Sequence, residues 1–176
     1  MVQIRRSRKQ RTEAAIAFAL ARRWEEAAAE NRSLLDEFPD DIEAANRLGK
    51  ALTELGDLDG AAEAYQKAMN WPGAEVETRS LAEVALGVVR EKQGRPKDAL
   101  DHWSNVFYRK NLRPGEDASL EQIKLAGENL GRLREERGEW AQAIAIYESM
   151  QQLFPPLRSA LQLKLNRARQ MISDRR

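Results

Sequence analysis

Apolar residues recur along this chain at helical spacing. Leu48, Leu52 and Leu55 lie three or four residues apart, and so do Leu81, Val84 and Val88. That period gathers them on one face of a helix and leaves the other face polar. Glycines interrupt the helical stretches at Gly56, Gly94 and Gly138. A glycine in that place takes a positive φ and ends a helix without steric cost. The pattern predicts short amphipathic helices joined by tight turns, and no strand.

The punctuation repeats. Leu48-Gly49 is followed by Gly56, Ala61 and Tyr65; Leu86-Gly87 by Gly94, Ala99 and Trp103; Leu130-Gly131 by Gly138, Ala143 and Tyr147. The offsets are the same in all three copies: seven residues between glycines, five to the alanine, four to the aromatic. A weaker copy precedes them, with Ala15, Phe18, Arg22, Ala27 and Pro39, and with Asn31 where the others carry an aromatic. Small residues in the first helix and at the crossing let two helices approach closely, and the aromatic fills the wedge beside them. One pair cannot bury its own apolar face, so the pairs must stack.

The spacing is uneven. Gly49 to Gly87 is 38 residues and Gly87 to Gly131 is 44. The extra residues fall at Asn70–Thr78 and Arg109–Ala118, each holding a Pro-Gly turn signal, Pro72-Gly73 and Pro114-Gly115. Ser119-x-x-Gln122 reads as a capping box. The first helices of the third and fourth copies should therefore start early and run to about 19 residues, roughly one turn longer than usual. Beyond Pro155-Pro156, Leu157, Leu161, Leu165 and Ala168 form one stripe opposite Arg158, Lys164, Arg167 and Arg169, as expected of a helix that closes the stack.

This pattern resembles the tetratricopeptide repeat, a helix–turn–helix unit of about 34 residues. The resemblance covers about residues 8–155, although the family's first-helix tryptophan is absent from every copy. It implies a right-handed superhelical solenoid of stacked antiparallel helix pairs. The organisation expected is a basic lead-in at 1–7, four repeats within 8–156 (about 8–41, 42–73, 74–113 and 118–155), and a capping helix with a basic tail at 157–176.

The resemblance also implies that the first helices line a concave groove, the usual ligand surface of such solenoids. The positions it assigns to a partner are Asn46, Lys50 and Thr53 in the second repeat, Leu81, Val84 and Val88 in the third, and Glu128 and Arg132 in the fourth. Asn46 and Lys50 share one helix face. An amide there offers a donor and an acceptor to a peptide backbone, and an ammonium meets a carboxylate. The three apolar positions suit a hydrophobic segment, such as a helix. One subtype of the family grips the terminal carboxylate of chaperones with Lys, Asn and Arg over three repeats. The matching positions here hold Thr12, Ile16, Arg47, Leu81 and Ala85, or, one repeat on, Asn46, Lys50, Ala85, Leu125 and Asn129, so neither frame completes the clamp.

Composition narrows the chemistry. The chain of 176 residues has no Cys and one His, which excludes disulfides, thiol catalysis and Cys-ligated or multi-His metal centres. No phosphate-binding glycine loop, zinc-protease or nucleophile-elbow motif occurs. His102 has Asp98 one turn before it, an arrangement seen in acid/base pairs, yet neither a nucleophile nor a metal partner accompanies it. Asp40-Asp41 suits a helix start. Trp24, Trp103 and Trp140 are accounted for by packing, whereas Trp71 sits in the first insertion. No enzyme, cofactor or metal is expected.

Charge is uneven although the net is only +1. Residues 1–11 carry +5 and residues 167–176 carry +3, leaving the middle at −7. The basic ends raise an alternative reading, a nucleic-acid-associated regulator; the acidic body and the lack of stacking aromatics in the arm argue against it. A basic arm against an acidic middle also permits a homo-oligomer. The longest apolar run, Ala14–Ala21, is eight residues, against the roughly 20 that a membrane span requires. It is Ala-rich and is needed by the first repeat, so a cytoplasmic location is expected. The reading that results is an adaptor or scaffold whose partner is a protein or peptide held in the groove.

Overall fold

The computed structural model describes residues 7–110 and 119–174. Among them are nine α-helices: α1 (Arg8–Leu20), α2 (Trp24–Glu37), α3 (Ile42–Leu55), α4 (Leu58–Asn70), α5 (Val76–Lys92), α6 (Pro96–Phe107), α7 (Leu120–Glu136), α8 (Trp140–Leu153) and α9 (Arg158–Ser173), with a short 3-10 turn at Pro155–Leu157. Each helix packs on the next in sequence, and the odd-numbered ones also touch one another, α1 on α3, α3 on α5 and α5 on α7. Helices α1 to α8 thus form four antiparallel pairs in a row, with the odd helices as the tighter inner layer, and α9 closes the end. Arg5 and Arg6 of the basic arm, the Pro114-Gly115 turn, Arg175 and Arg176 lie outside the described residues.

The turn within each pair is one motif used four times. Gly56, Gly94 and Gly138 have φ of 81°, 72° and 69°, and Arg22 occupies the same place in the first pair with φ 56°. The bonds match as well. Asp57 N–H donates to the Leu52 carbonyl at 2.9 Å, and Arg23 N–H to the Phe18 carbonyl at 2.9 Å. This is the Schellman arrangement, which satisfies the last carbonyls of the first helix. The weaker first copy therefore keeps the backbone and pays with an arginine in the left-handed region.

Caps set the starts. The Asp41 carboxylate accepts from Ala44 N–H at 2.8 Å, as Asp40-Asp41 suggested. Ser7 Oγ accepts from Gln10 N–H while Gln10 Oε1 accepts from Ser7 N–H, a full capping box that sequence reasoning did not identify. The one it did identify is absent: Ser119 is the N-cap residue of α7, but its side chain makes no capping bond, and Gln122 is buried instead. Helices α5 and α7 have 17 residues rather than the expected 19 or so, against 14 in α3. Relative to their glycines they start four residues earlier than α3 does, so each insertion adds about one turn to the start of the helix that follows it.

The core follows the stack. One apolar cluster joins α2 to α5 and a second joins α5 to α9, and the two meet on α5, where Val84 belongs to one and Leu86 to the other. The repeated glycines lie beneath the repeated aromatics of their own pair. A Cβ on Gly49 would stand 2.8 Å from the Tyr65 ring, on Gly87 2.3 Å from Trp103 Nε1, and on Gly131 2.3 Å from the Tyr147 ring. Gly127 does the same for Phe107 of the preceding pair, at 2.7 Å. The wedge expected between neighbouring pairs is therefore seated first against its own first helix. On α9, Leu161, Leu165 and Ala168 are buried against the stack.

Candidate binding groove

The inner faces of α3, α5 and α7 enclose an open cavity of about 390 Å³. Six of the eight positions assigned from sequence line it: Asn46, Lys50, Thr53, Leu81, Val84 and Val88. Arg47, Tyr65, Ala85 and Leu125 complete it. The α5 and α7 wall is apolar. Leu81 and Leu125 are each 42% exposed, large aliphatic side chains left in solvent on one concave face. The α3 wall carries the polar groups.

Several of those groups are already in use. Asn46 is buried, and its Nδ2 donates to the Thr78 carbonyl at 3.2 Å, tying α3 to the first turn of α5. Its Oδ1 has no hydrogen-bond partner among the described residues, so an acceptor remains where a donor and an acceptor were expected. Thr53 Oγ1 donates to the Gly49 carbonyl of its own helix at 2.7 Å. Lys50 is exposed and bonds Glu54 at 2.6 Å, a contact that holds the Glu54 carboxyl below its ordinary range. A surface pair of this kind contributes little to stability and exchanges readily for another carboxylate. Val84 is only 1% exposed; it supports the wall from within, and its carbonyl accepts from Trp103 Nε1 at 3.0 Å.

Glu128 and Arg132 stand outside the cavity. Glu128 is exposed beside Lys124 at 3.9 Å. The Arg132 guanidinium holds Glu91 through two bonds, at 2.9 and 2.7 Å, reaches Glu136 at 2.9 Å, and lies 6.0 Å over the Trp103 ring. The hydrogen bonds to Glu91, then those to Glu136, raise its pKa further. Arg132 is a strut between the third and fourth pairs. Sequence alone did not reveal this, because Glu91 lies 41 residues away.

The basic residues of α1 are likewise engaged. Arg8 bonds Asp41 at 3.0 Å, and Arg11 bonds the Ser33 hydroxyl at 2.7 Å with Glu37 at 3.5 Å. His102 turns away from Asp98, whose carboxylate meets Arg95, and faces Glu83 on α5 at 3.7 Å. Trp71 is half-buried at the end of α4. No helix among the described residues is long and apolar enough to cross a membrane.

Two family models described as tetratricopeptide repeat match residues 9–75 and 128–152, together more than half of the chain. Comparison with curated proteins returns no match. Among solved structures the chain is similar to a crystal structure of MamA protein, at 17% identity over 94% of this chain and 88% of that one, with a TM-score of 0.63. It is similar to another crystal structure of MamA, at 17% identity over 92% of this chain and 95% of that one, TM-score 0.60. It is also similar to the TPR2AB domain of yeast Sti1 in a pHSP90 complex, at 18% identity over 95% of this chain and 74% of that one, TM-score 0.55. At these identities the likeness is one of fold, and it agrees with the paired helices, the repeated turn and the glycine–aromatic seats. This chain belongs to the tetratricopeptide repeat family.

Proposed function

We propose that the protein is an adaptor or scaffold that holds an amphipathic helical segment of a partner protein in the groove of α3, α5 and α7. The tetratricopeptide repeat fold suggests protein–protein interaction, and the observation that carries the finer reading is the apolar wall of Leu81, Ala85, Val88 and Leu125 around a cavity of about 390 Å³. The facing wall supplies Arg47 and Lys50 and no acid, so the segment that fits has aliphatic residues one helical turn apart and carboxylates beside them. Rigid stacked helices hold this surface ready, which limits the ordering entropy lost on docking. Leu81, Leu125 and Lys50 are the residues expected to touch the partner. Asn46 and Thr53 shape the wall, and Glu128 and Arg132 flank it.

The test is photo-crosslinking in cells from positions 81 and 125, with exposed Leu163 of α9 as the control site. The reading requires adducts shared by 81 and 125, absent from 163, mapping to an amphipathic segment, and lost in Leu81→Glu/Leu125→Glu. Adducts that map to polar segments, or that form equally from 163, would overturn it.

A further inference from the structure

We propose that the groove of α3, α5 and α7 receives helix α1 of a second copy of this chain. The inference rests on the reading of the groove as a seat for an amphipathic helix, and it names that helix. Within one copy α1 is fixed on α2 and α3, so it has no path into a groove that α3 itself walls. The occupant comes from another molecule.

The two ends of the described stack are finished differently. Helix α9 buries Leu161, Leu165 and Ala168 and presents Gln162, Asn166, Arg167 and Gln170 to solvent, with Leu163 alone among them. A polar outer face is what a stack requires where stacking stops. Helix α1 buries Ala15 and, on the side opposite, presents Glu13, Ile16, Ala17 and Leu20 in one stripe at helical spacing. Ile16 is 43% exposed and Leu20 82%, the highest value of any large hydrophobic residue among those described. This stripe is the segment the groove calls for: aliphatic residues one turn apart, with a carboxylate one turn before them.

The register agrees. Leu81 and Leu125 each stand six residues before the glycine of their own helix, Gly87 and Gly131, the place that Glu43 holds before Gly49 on α3. Lys50 is seven residues beyond that level and Glu54 eleven. On α1, Glu13 is seven residues from Leu20 and Lys9 eleven. Both helices rise about 1.5 Å per residue. Laid antiparallel to α3, α1 therefore brings Leu20 to the level of Leu81 and Leu125, Ile16 to the small Ala85, Glu13 to Lys50 and Lys9 to Glu54. A parallel placement with Leu20 at the same level carries Glu13 past the start of α3 at Ile42. Each charged pair already exists within its own helix, Lys9 with Glu13 at 3.9 Å and Lys50 with Glu54 at 2.6 Å, and all four side chains are more than a third exposed. Docking exchanges the partners of two weak surface pairs and leaves no charge unpaired.

Ridge and groove are different surfaces, so the contact is heterologous, and two variants that each lack one surface complement each other. In sedimentation velocity from about 10 µM to 1 mM, the range in which a small interface associates, the wild type should assemble. Leu20→Glu and Leu81→Glu/Leu125→Glu, all at exposed positions, should each stay monomeric with the helical circular dichroism of the wild type. Their equimolar mixture should form a heterodimer and nothing larger. The chain has no Cys, so introduced thiols report proximity directly. Leu20→Cys mixed with Leu125→Cys should form a disulfide faster, by about tenfold or more, than Leu20→Cys mixed with Leu163→Cys on α9 or with Glu54→Cys, because thiols pair only within a Cα separation of about 7 Å and this register sets positions 20 and 54 about 16 Å apart along the groove. A wild type that is monomeric throughout that range, a mixture of the two surface variants that stays monomeric, or a disulfide that forms as fast at 54 or 163 as at 125 would overturn the proposal. The groove reading fails separately: with a monomeric wild type, adducts from positions 81 and 125 to an amphipathic segment of another protein would still uphold it.

Discussion

Gly87→Ala is the sharpest perturbation of the stack. In a solvated helix the change would stabilise by about 1 kcal/mol, because Ala is the better helix former. Here the added Cβ would stand 2.3 Å from Trp103 Nε1 and 2.7 Å from Cδ1, in a ring with no exposed surface. The indole has to move by more than 1 Å, roughly the gap to an ordinary carbon contact. Overpacking of this kind costs about 1–3 kcal/mol. The shift also breaks the 3.0 Å bond from Nε1 to the Val84 carbonyl, leaving a buried donor unsatisfied at about 1–3 kcal/mol. The steric terms exceed the propensity gain, and the expected net is a destabilisation of about 3 kcal/mol. Urea unfolding followed by helical circular dichroism measures it. Gly131→Ala should cost a similar amount and Gly49→Ala less, since its contact with Tyr65 is 2.8 Å. A Gly87→Ala protein as stable as wild type, or more so, would show that the ring does not sit on the glycine.

Other expectations follow from single observations. Arg22→Gly should stabilise by about 0.5–1 kcal/mol, because the left-handed conformation at φ 56° costs an L-residue more than glycine's added chain entropy; a lowered midpoint in thermal unfolding would contradict this. Burial pushes the Tyr65 phenol up to about 12, against a weaker opposing hydrogen bond with Thr53, and burial raises Tyr147 as well. Between pH 10 and about 12 the folded state keeps the Tyr65 proton that the unfolded chain has released. Stability is thus complete below pH 10 and falls as pH climbs, by on the order of 2 kcal/mol for Tyr65; Tyr65→Phe should flatten the alkaline limb of a pH–stability curve, and an unchanged slope would refute the assignment. Arg132→Ala should cost about 1 kcal/mol, with a smaller difference in high salt because the pair is partly exposed; equal loss at low and high salt would mean that packing alone is at work. Ser7→Ala should cost about 1 kcal/mol and Ser119→Ala almost nothing, since only the first caps its helix.

What could be read from the sequence was set by neighbours a few residues apart. The offsets from Gly49 to Gly56 to Ala61 to Tyr65 lie within one helix pair, so their repetition disclosed the pairs, the turns and the seats. Leu161, Leu165 and Ala168 disclosed the closing helix in the same way. What escaped depended on distant partners or on backbone angle. Nothing in the identity of Arg22 announces a positive φ; only its register with Gly56 does. Ser119 and Gln122 have the spacing of a capping box, yet burial draws Gln122 into the stack and the reciprocal bond is lost. His102 and Asp98 share a helix one turn apart, which makes them neighbours in the sequence pattern, whereas the imidazole faces α5. Val84 has the spacing of the groove wall and lines the cavity, but it is almost wholly buried, whereas Leu81 and Leu125 on the same wall stay exposed.

The helix pairs stand only by leaning on their neighbours. Native-state hydrogen exchange, followed helix by helix, tests this most directly. Protection should be greatest in α4, α5 and α6, which are flanked on both sides, and should fall stepwise toward α1 at one end and α9 at the other. A single opening free energy shared by all nine described helices, or strongest protection in the terminal pair α1–α2, would contradict it.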